Sequence, residues 1–94
     1  MISLKEVELE QVQDMAYYLI EPKLIAINLG IDEIEFLEQL NSENPNPIKN
    51  AFYVGYLKQL MELRIALVKA SNNGSNPAQE QLLIAMKGLN NVLV

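Results

Sequence analysis

The chain has 94 residues, half of them apolar, with no cysteine, no histidine and a formal net charge of -5. A chain this short makes one domain and buries only about two-thirds of its unfolded surface, so a monomer has little margin of stability. The missing cysteine and histidine exclude disulfides, thiol chemistry, soft-metal sites and imidazole acid–base relays. We therefore expect a protein that is not an enzyme, with no catalytic residue, no metal and no cofactor.

Hydropathy gives no sign of a membrane protein. The longest apolar runs, such as residues 82–86, have about five residues, whereas a membrane span needs about 20. The acidic residues 1–10 do not resemble a signal peptide. We expect a cytoplasmic protein with no membrane association.

Charge and turn residues divide the chain. Residues 1–47 carry two lysines against ten carboxylates, a net charge of -8, and residues 48–94 carry five basic residues against two carboxylates, a net charge of +3. Clusters of Pro, Asn, Gly and Ser at residues 44–47 and 72–77 predict loops. These loops divide the chain into three segments, and the sequence contains no internal repeat.

The first segment predicts an amphipathic helix over about residues 4–20, because its apolar residues recur at helical spacing. Ser3 and Glu6 have the spacing of a capping box at its start. Pro22 ends this helix and begins a short one over residues 22–29, and Gly30 has the place of a left-handed C-terminal cap.

A second capping box, from Asp32 to Glu35, predicts a further helix that reaches about Asn41. A helix, a glycine turn and a capped helix make a helix-turn-helix layout. Four apolar residues are expected to close the core of this unit: Ile25, Leu29, Ile31 and Phe36.

The third segment predicts a long helix, with Asn46 as its cap and Pro47 as its first residue, that reaches about Ser71 and measures about 37 Å. A last helix capped by Asn76 follows a short loop, so the two helices should form an antiparallel hairpin. The sequence therefore predicts an all-α fold of four or five helices in a single domain, with a helix-turn-helix unit (residues 1–43) followed by a helical hairpin (residues 47–94).

The long helix carries two apolar stripes. The first stripe consists of Phe52, Tyr56, Leu60, Leu63 and Leu67, and the second of Val54, Leu57, Met61, Ile65 and Val68. The last helix can cover only one of these stripes. The long helix, at about 37 Å, is also too long to be enclosed in a compact domain with a radius of gyration of about 12–13 Å. We expect a homo-oligomer, with the first stripe as candidate interface residues and part of the second stripe also left for another subunit.

Electrostatics argue against DNA reading by the second helix of the helix-turn-helix unit. A recognition helix lies between phosphates, yet residues 32–38 carry four carboxylates and no basic residue lies between Lys23 and Lys49. The same acids are typical of a helix start and a solvated face. If the chain contacts DNA, the candidate phosphate ligands are Lys23, Lys49 and Lys58.

Tyrosines offer an alternative, single-stranded interpretation. Four of them, interleaved with lysines, could stack on bases, although tyrosines in helices are more often half-buried: Tyr17, Tyr18, Tyr53 and Tyr56.

The order of elements resembles the small-terminase and related helix-turn-helix DNA-packaging proteins of tailed bacteriophages and prophages. The resemblance spans about residues 15–90 and rests on residues 29–32, a proline-containing linker, the long helix through 51–57 and 62–64, and residues 74–79. It implies an oligomeric, non-enzymatic subunit that binds double-stranded DNA and regulates a large motor-nuclease subunit in a bacterial host cell. It also implies that Lys23 and residues 32–41 face DNA and that residues 52–68 face neighbouring subunits.

Two hypotheses of function follow. The first is an oligomeric DNA-packaging adaptor that displays several weak DNA-binding units, so that avidity offsets the poor electrostatics of each. The second is a helical protein–protein assembly module that does not bind DNA, in which the acidic N-terminal half docks on a basic partner or on the basic half of a neighbouring copy.

Overall fold

The computed structural model describes residues 2–93, and the side chains of residues 2–88. Residues 2–93 form five helices and no strand: α1 (Glu6–Tyr17), α2 (Pro22–Leu29), α3 (Glu33–Asn41), α4 (Pro47–Asn72) and α5 (Asn76–Leu93). The predicted all-α fold of four or five helices is confirmed. The chain divides into unit 1, residues 1–59, and unit 2, residues 60–94. The boundary between these two units lies inside α4. The sequence predicts the boundary between the helix-turn-helix unit and the hairpin at the proline-containing linker instead.

Unit 1 has a continuous apolar core. Its clustered buried side chains come from all four of its helical segments: Val12, Ile25, Ala26, Phe36, Leu40, Ile48 and Ala51. The predicted core of the helix-turn-helix unit is confirmed, because Ile25 and Phe36 are fully buried and Leu29 and Ile31 pack against the cluster.

The turn between α2 and α3 has the predicted geometry. Gly30 adopts a left-handed conformation with φ at 69°, and the N–H of Ile31 donates to the carbonyl of Ala26 at 3.0 Å. The carboxylate of Asp32 accepts from the N–H of Glu35 at 3.0 Å, which is one of the two hydrogen bonds of the predicted capping box. These local bonds end α2 and begin α3 where the sequence indicates.

The predicted start of α1 is wrong. The helix begins at Glu6, and the N–H of Lys5 donates to the carboxylate of Glu8 at 2.9 Å, so Ser3 and Glu6 form no capping box. Ile2 and Leu4 both pack against the core and alternate with exposed Ser3. This alternation is that of an extended segment, because residues two apart along such a segment lie on the same side.

The end of α1 also differs from the prediction, since the helix stops at Tyr17 and not near residue 20. The N–H of Ile20 donates to the carbonyl of Met15 at 3.0 Å, and Leu19 has a positive φ of 60°. A left-handed leucine costs about 1–2 kcal/mol, which a glycine at this position would avoid.

The starts of α4 and α5 are both capped by a side-chain oxygen. The side-chain oxygen of Asn46 accepts from the N–H of Lys49 at 2.8 Å, which confirms Asn46 as the cap of α4. At α5 the prediction is wrong by one residue, because the helix already includes Asn76 and the hydroxyl of Ser75 accepts from the N–H of Ala78 at 3.4 Å.

Candidate interaction surfaces

The three lysines proposed as DNA contacts have different environments. Lys23 is exposed in the first turn of α2, and Lys58 is exposed on α4. Lys49 is half-buried, and its ammonium group donates to the carbonyl of Ser42, the C-cap residue that follows α3. The C-terminal carbonyls of a helix carry partial negative charge, so Lys49 already has an electrostatic partner within unit 1.

Lys49 and Lys58 do not share a face of α4. They are nine residues apart, which corresponds to a rotation of about 900°, or half a turn beyond two full circles. Their side chains therefore leave opposite sides of the helix. One straight phosphate backbone cannot contact both along α4.

The outer face of α3 is acidic. Glu35 and Glu38 are exposed on the same side as Ile34, which is 67% exposed, while the opposite face carries the buried Phe36, and Glu33 is exposed in the first turn. A phosphate backbone that approached this face would meet carboxylates first, which is unfavourable for affinity.

The tyrosines are mostly exposed and form no stacking row. Tyr17 and Tyr18 contact each other edge to face with ring centroids 5.1 Å apart, and Tyr53 contacts Phe52 in the same way at 5.3 Å. Perpendicular rings of this kind do not present parallel platforms for successive bases.

Most side chains of the first apolar stripe of α4 are already partly buried within the two units. Phe52 packs against the core of unit 1, and Leu60 and Leu67 are half-buried. Only Tyr56 and Leu63, 43% and 48% exposed, retain much accessible surface. Of the five predicted interface residues, these two are the most available to a neighbour.

The second stripe is the more accessible one. Met61, Ile65 and Val68 in unit 2 are between 45% and 56% exposed, as is Leu57 in unit 1, whereas Val54 is half-buried. The sequence could not decide which stripe stays open, because that depends on how neighbouring helices pack.

Unit 2 has almost no interior of its own. Among residues 60–88, Ala78 is the one buried side chain, and the half-buried apolar residues are Leu60, Leu67, Ala70, Leu82 and Ala85. Seven large apolar side chains remain exposed, and we refer to them as the apolar surface of unit 2: Met61, Leu63, Ile65, Val68, Leu83, Ile84 and Met86.

A cleft of about 600 Å³ lies within unit 2. It is lined by Arg64 of α4 and by six residues of α5: Gln81, Leu82, Ile84, Ala85, Met86 and Gly88. The guanidinium of Arg64 is the only charged group among these residues. A mostly apolar lining of this kind suits an apolar side chain better than a charged substrate.

The described part of the chain contains neither a buried polar side chain nor a cluster of metal ligands. No charged or polar side chain among residues 2–88 is fully buried, and no three carboxylates among the described residues converge as metal ligands would. Over residues 2–93, no helix is both long enough and apolar enough to cross a bilayer.

No family model, curated protein or solved structure matches this chain. The resemblance to small terminases therefore stays a prediction that rests on the order of the elements.

Two features important to the fold were not singled out from the sequence: the helix crossing at Gly55 and the second hydrogen bond of Asn46. Neither has a local sequence signal, because each depends on a residue distant in the chain.

Proposed function

We propose that this chain is a non-enzymatic assembly module that forms a homo-oligomer through unit 2. The observation that carries the proposal is the contrast within unit 2 between its seven exposed large apolar side chains and the single buried one, Ala78, among residues 60–88. Unit 1, by contrast, encloses a core of its own.

Size explains why unit 2 needs a partner. Units below about 40 residues rarely bury enough apolar surface to stay folded without disulfides, metals or association. Unit 2 has 35 residues, and the chain has neither cysteine nor histidine. Association is the remaining route, and two-helix hairpins associate by packing their apolar faces together.

A pair of variants tests this proposal. Ile65→Glu places a charge in the apolar surface of unit 2, and Ala66→Glu places the same charge on the exposed neighbouring residue of the same helix. Light scattering at micromolar concentration should show an oligomer for the wild type and for Ala66→Glu, and a monomer for Ile65→Glu. A wild type that is monomeric throughout this range would refute the proposal.

A second candidate function is a DNA-packaging adaptor of the small-terminase kind, with double-stranded DNA and a large motor-nuclease subunit as partners in the cytoplasm of a bacterial host. The observation in its favour is the α2–Gly30–α3 corner, which has the turn and core of a helix-turn-helix unit. Several copies on one oligomer would bind through avidity.

Salt dependence separates the two functions. Duplex DNA binding by the second candidate should weaken steeply as salt rises, and Lys23→Ala or Lys58→Ala should each lower the log–log slope by about 1. Lys87→Ala on α5 serves as the control. An intact oligomer that does not bind DNA at about 50 mM salt would exclude the adaptor and leave the assembly module standing.

A further inference from the structure

The turn between α4 and α5 contains an asparagine followed by a glycine, Asn73 and Gly74. Asparagine is a chemically labile residue, because the backbone nitrogen of the next residue can attack its side-chain amide. Of the ten asparagines in the chain, only Asn73 precedes glycine, which has no Cβ atom to shield that nitrogen. Three others precede proline, whose nitrogen carries no hydrogen and cannot react in this way: Asn44, Asn46 and Asn76.

Both residues of this pair are open to solvent. Asn73 and Gly74 are exposed, and a Cβ atom added to Gly74 would meet no atom beyond its chain neighbours within 4 Å. Water therefore reaches the side-chain amide of Asn73, and tertiary packing does not separate this amide from the backbone of Gly74.

Two backbone hydrogen bonds restrain the nitrogen of Gly74. Gly74 has a φ of 87°, its N–H donates to the carbonyl of Ser71 at 3.0 Å, and the N–H of Ser75 donates to the carbonyl of Ala70 at 3.1 Å. This is the Schellman arrangement that ends a helix at a left-handed glycine. While the N–H of Gly74 is bound to Ser71, its nitrogen cannot turn toward the side chain of Asn73, so this cap has to open first.

We propose that Asn73 is a site of spontaneous deamidation and that opening of the α4 cap controls the rate of the reaction. The nitrogen of Gly74 attacks Cγ of Asn73, a new N–Cγ bond replaces the Cγ–Nδ2 bond, and the proton of the N–H leaves with Nδ2 as ammonia. Water then hydrolyses either C–N bond of the cyclic imide, its hydroxyl adding to the carbonyl carbon and its proton to the nitrogen. The product at position 73 is an aspartyl or an isoaspartyl residue.

The isoaspartyl product disables the cap. In this product the main chain runs through the former side chain of Asn73, which adds one methylene group before Gly74. The bond from Gly74 to Ser71 and the bond from Ser75 to Ala70 both span this longer link, so they cannot keep their geometry. Deamidation therefore alters the turn of unit 2 irreversibly.

Mass spectrometry of the full chain, incubated for several days in mildly alkaline buffer and then digested with trypsin, tests the site. Position 73 should gain the mass difference between asparagine and aspartate, with an isoaspartyl fraction resolved by chromatography. Asn76 lies in the same tryptic peptide and should gain none, because Pro77 follows it. Asn73→Gln is the matched variant, and its longer side chain, which must close a larger ring, should abolish the gain at this position.

The same incubation in guanidinium chloride tests the control by the cap. We expect the reaction at position 73 to be about two- to tenfold slower in native buffer than in the unfolded chain, which corresponds to the net stability of the one hydrogen bond that the nitrogen of Gly74 must break.

Three results would overturn the proposal. An unmodified position 73 in both solvents would refute the site. Equal rates in the two solvents would show that the cap does not restrain the nitrogen of Gly74. A native reaction slower than the expected range would show that a larger part of unit 2 has to open first, so that the cap alone does not control the rate.

Discussion

Gly55 lies where α1 and α4 cross, and it is the most tightly packed of the chain's glycines. A Cβ atom at this position would lie 2.0 Å from the carbonyl oxygen of Gln13 and 3.1 Å from the backbone nitrogen of Tyr17. Both are backbone atoms of a packed helix, so they cannot rotate away as a flexible side chain would. Only glycine allows this crossing.

We expect Gly55→Ala to destabilise unit 1 by at least about 2 kcal/mol, because the two helices must separate and lose core packing. The alanine's better helix propensity, worth about 1 kcal/mol, cannot offset this loss. Urea unfolding followed by circular dichroism measures the change.

Gly30→Ala is the matched comparison. Gly30 has a positive φ, but a Cβ atom added there would meet no other atom within 4 Å, so the cost is conformational only, about 1 kcal/mol. If Gly55→Ala proves no more harmful than Gly30→Ala, the close approach of α1 and α4 is incorrect.

At the scale of elements, Asn46 joins two helices with one side chain. Its oxygen accepts from the N–H of Lys49 at the start of α4, and its Nδ2 donates to the carbonyl of Gln39 near the end of α3 at 3.0 Å. The cap therefore also fixes the angle at which the linker leaves α3.

Two substitutions separate these bonds. Asn46→Ser keeps a capping oxygen but is too short to reach Gln39, so we expect a loss of about 1 kcal/mol in the free energy of unfolding. Asn46→Ala loses both of these bonds as well as the longer one that Nδ2 donates to the carbonyl of Asn44 at 3.4 Å, and we expect about 2 kcal/mol. An Asn46→Ser variant as stable as the wild type in thermal or urea unfolding would mean that the bond to Gln39 contributes nothing, whereas equal losses in the two variants would mean that the cap bond contributes nothing.

Elements whose ends depend on local chemistry could be predicted from the sequence. Pro22, Gly30 and Asp32 fix the limits of α2 and α3 through backbone φ and short-range hydrogen bonds, and Asn46 with Pro47 fixes the start of α4. Each of these signals acts within four residues, so no tertiary information was needed.

Features that depend on distant residues could not be predicted. Helix α1 begins at Glu6, later than predicted, because Ile2 and Leu4 pack against residues from other helices. The choice between the two stripes of α4 likewise depends on which neighbours cover them. Composition and spacing showed that α4 has more apolar surface than one partner can cover, but not which face stays exposed.

Across the whole molecule, stability is unevenly distributed. Unit 1 holds the buried cluster from Val12 to Ala51, while among residues 60–88 of unit 2 the one buried side chain is that of Ala78. Under the proposed function, the free energy that keeps unit 2 helical comes largely from association, which depends on concentration. Unit 1 has no such dependence, because its core is enclosed within one chain.

Hydrogen exchange measured at several protein concentrations tests this division. We expect amides of residues 61–88 to exchange faster on dilution, because the dissociated hairpin opens at a low free-energy cost. Amides of α2 and α3 should exchange at a rate that does not change, which provides the control within the same sample. Ile65→Glu should show fast exchange of residues 61–88 at every concentration. Protection of these residues that stays constant on dilution and in Ile65→Glu would show that unit 2 is stable without a partner.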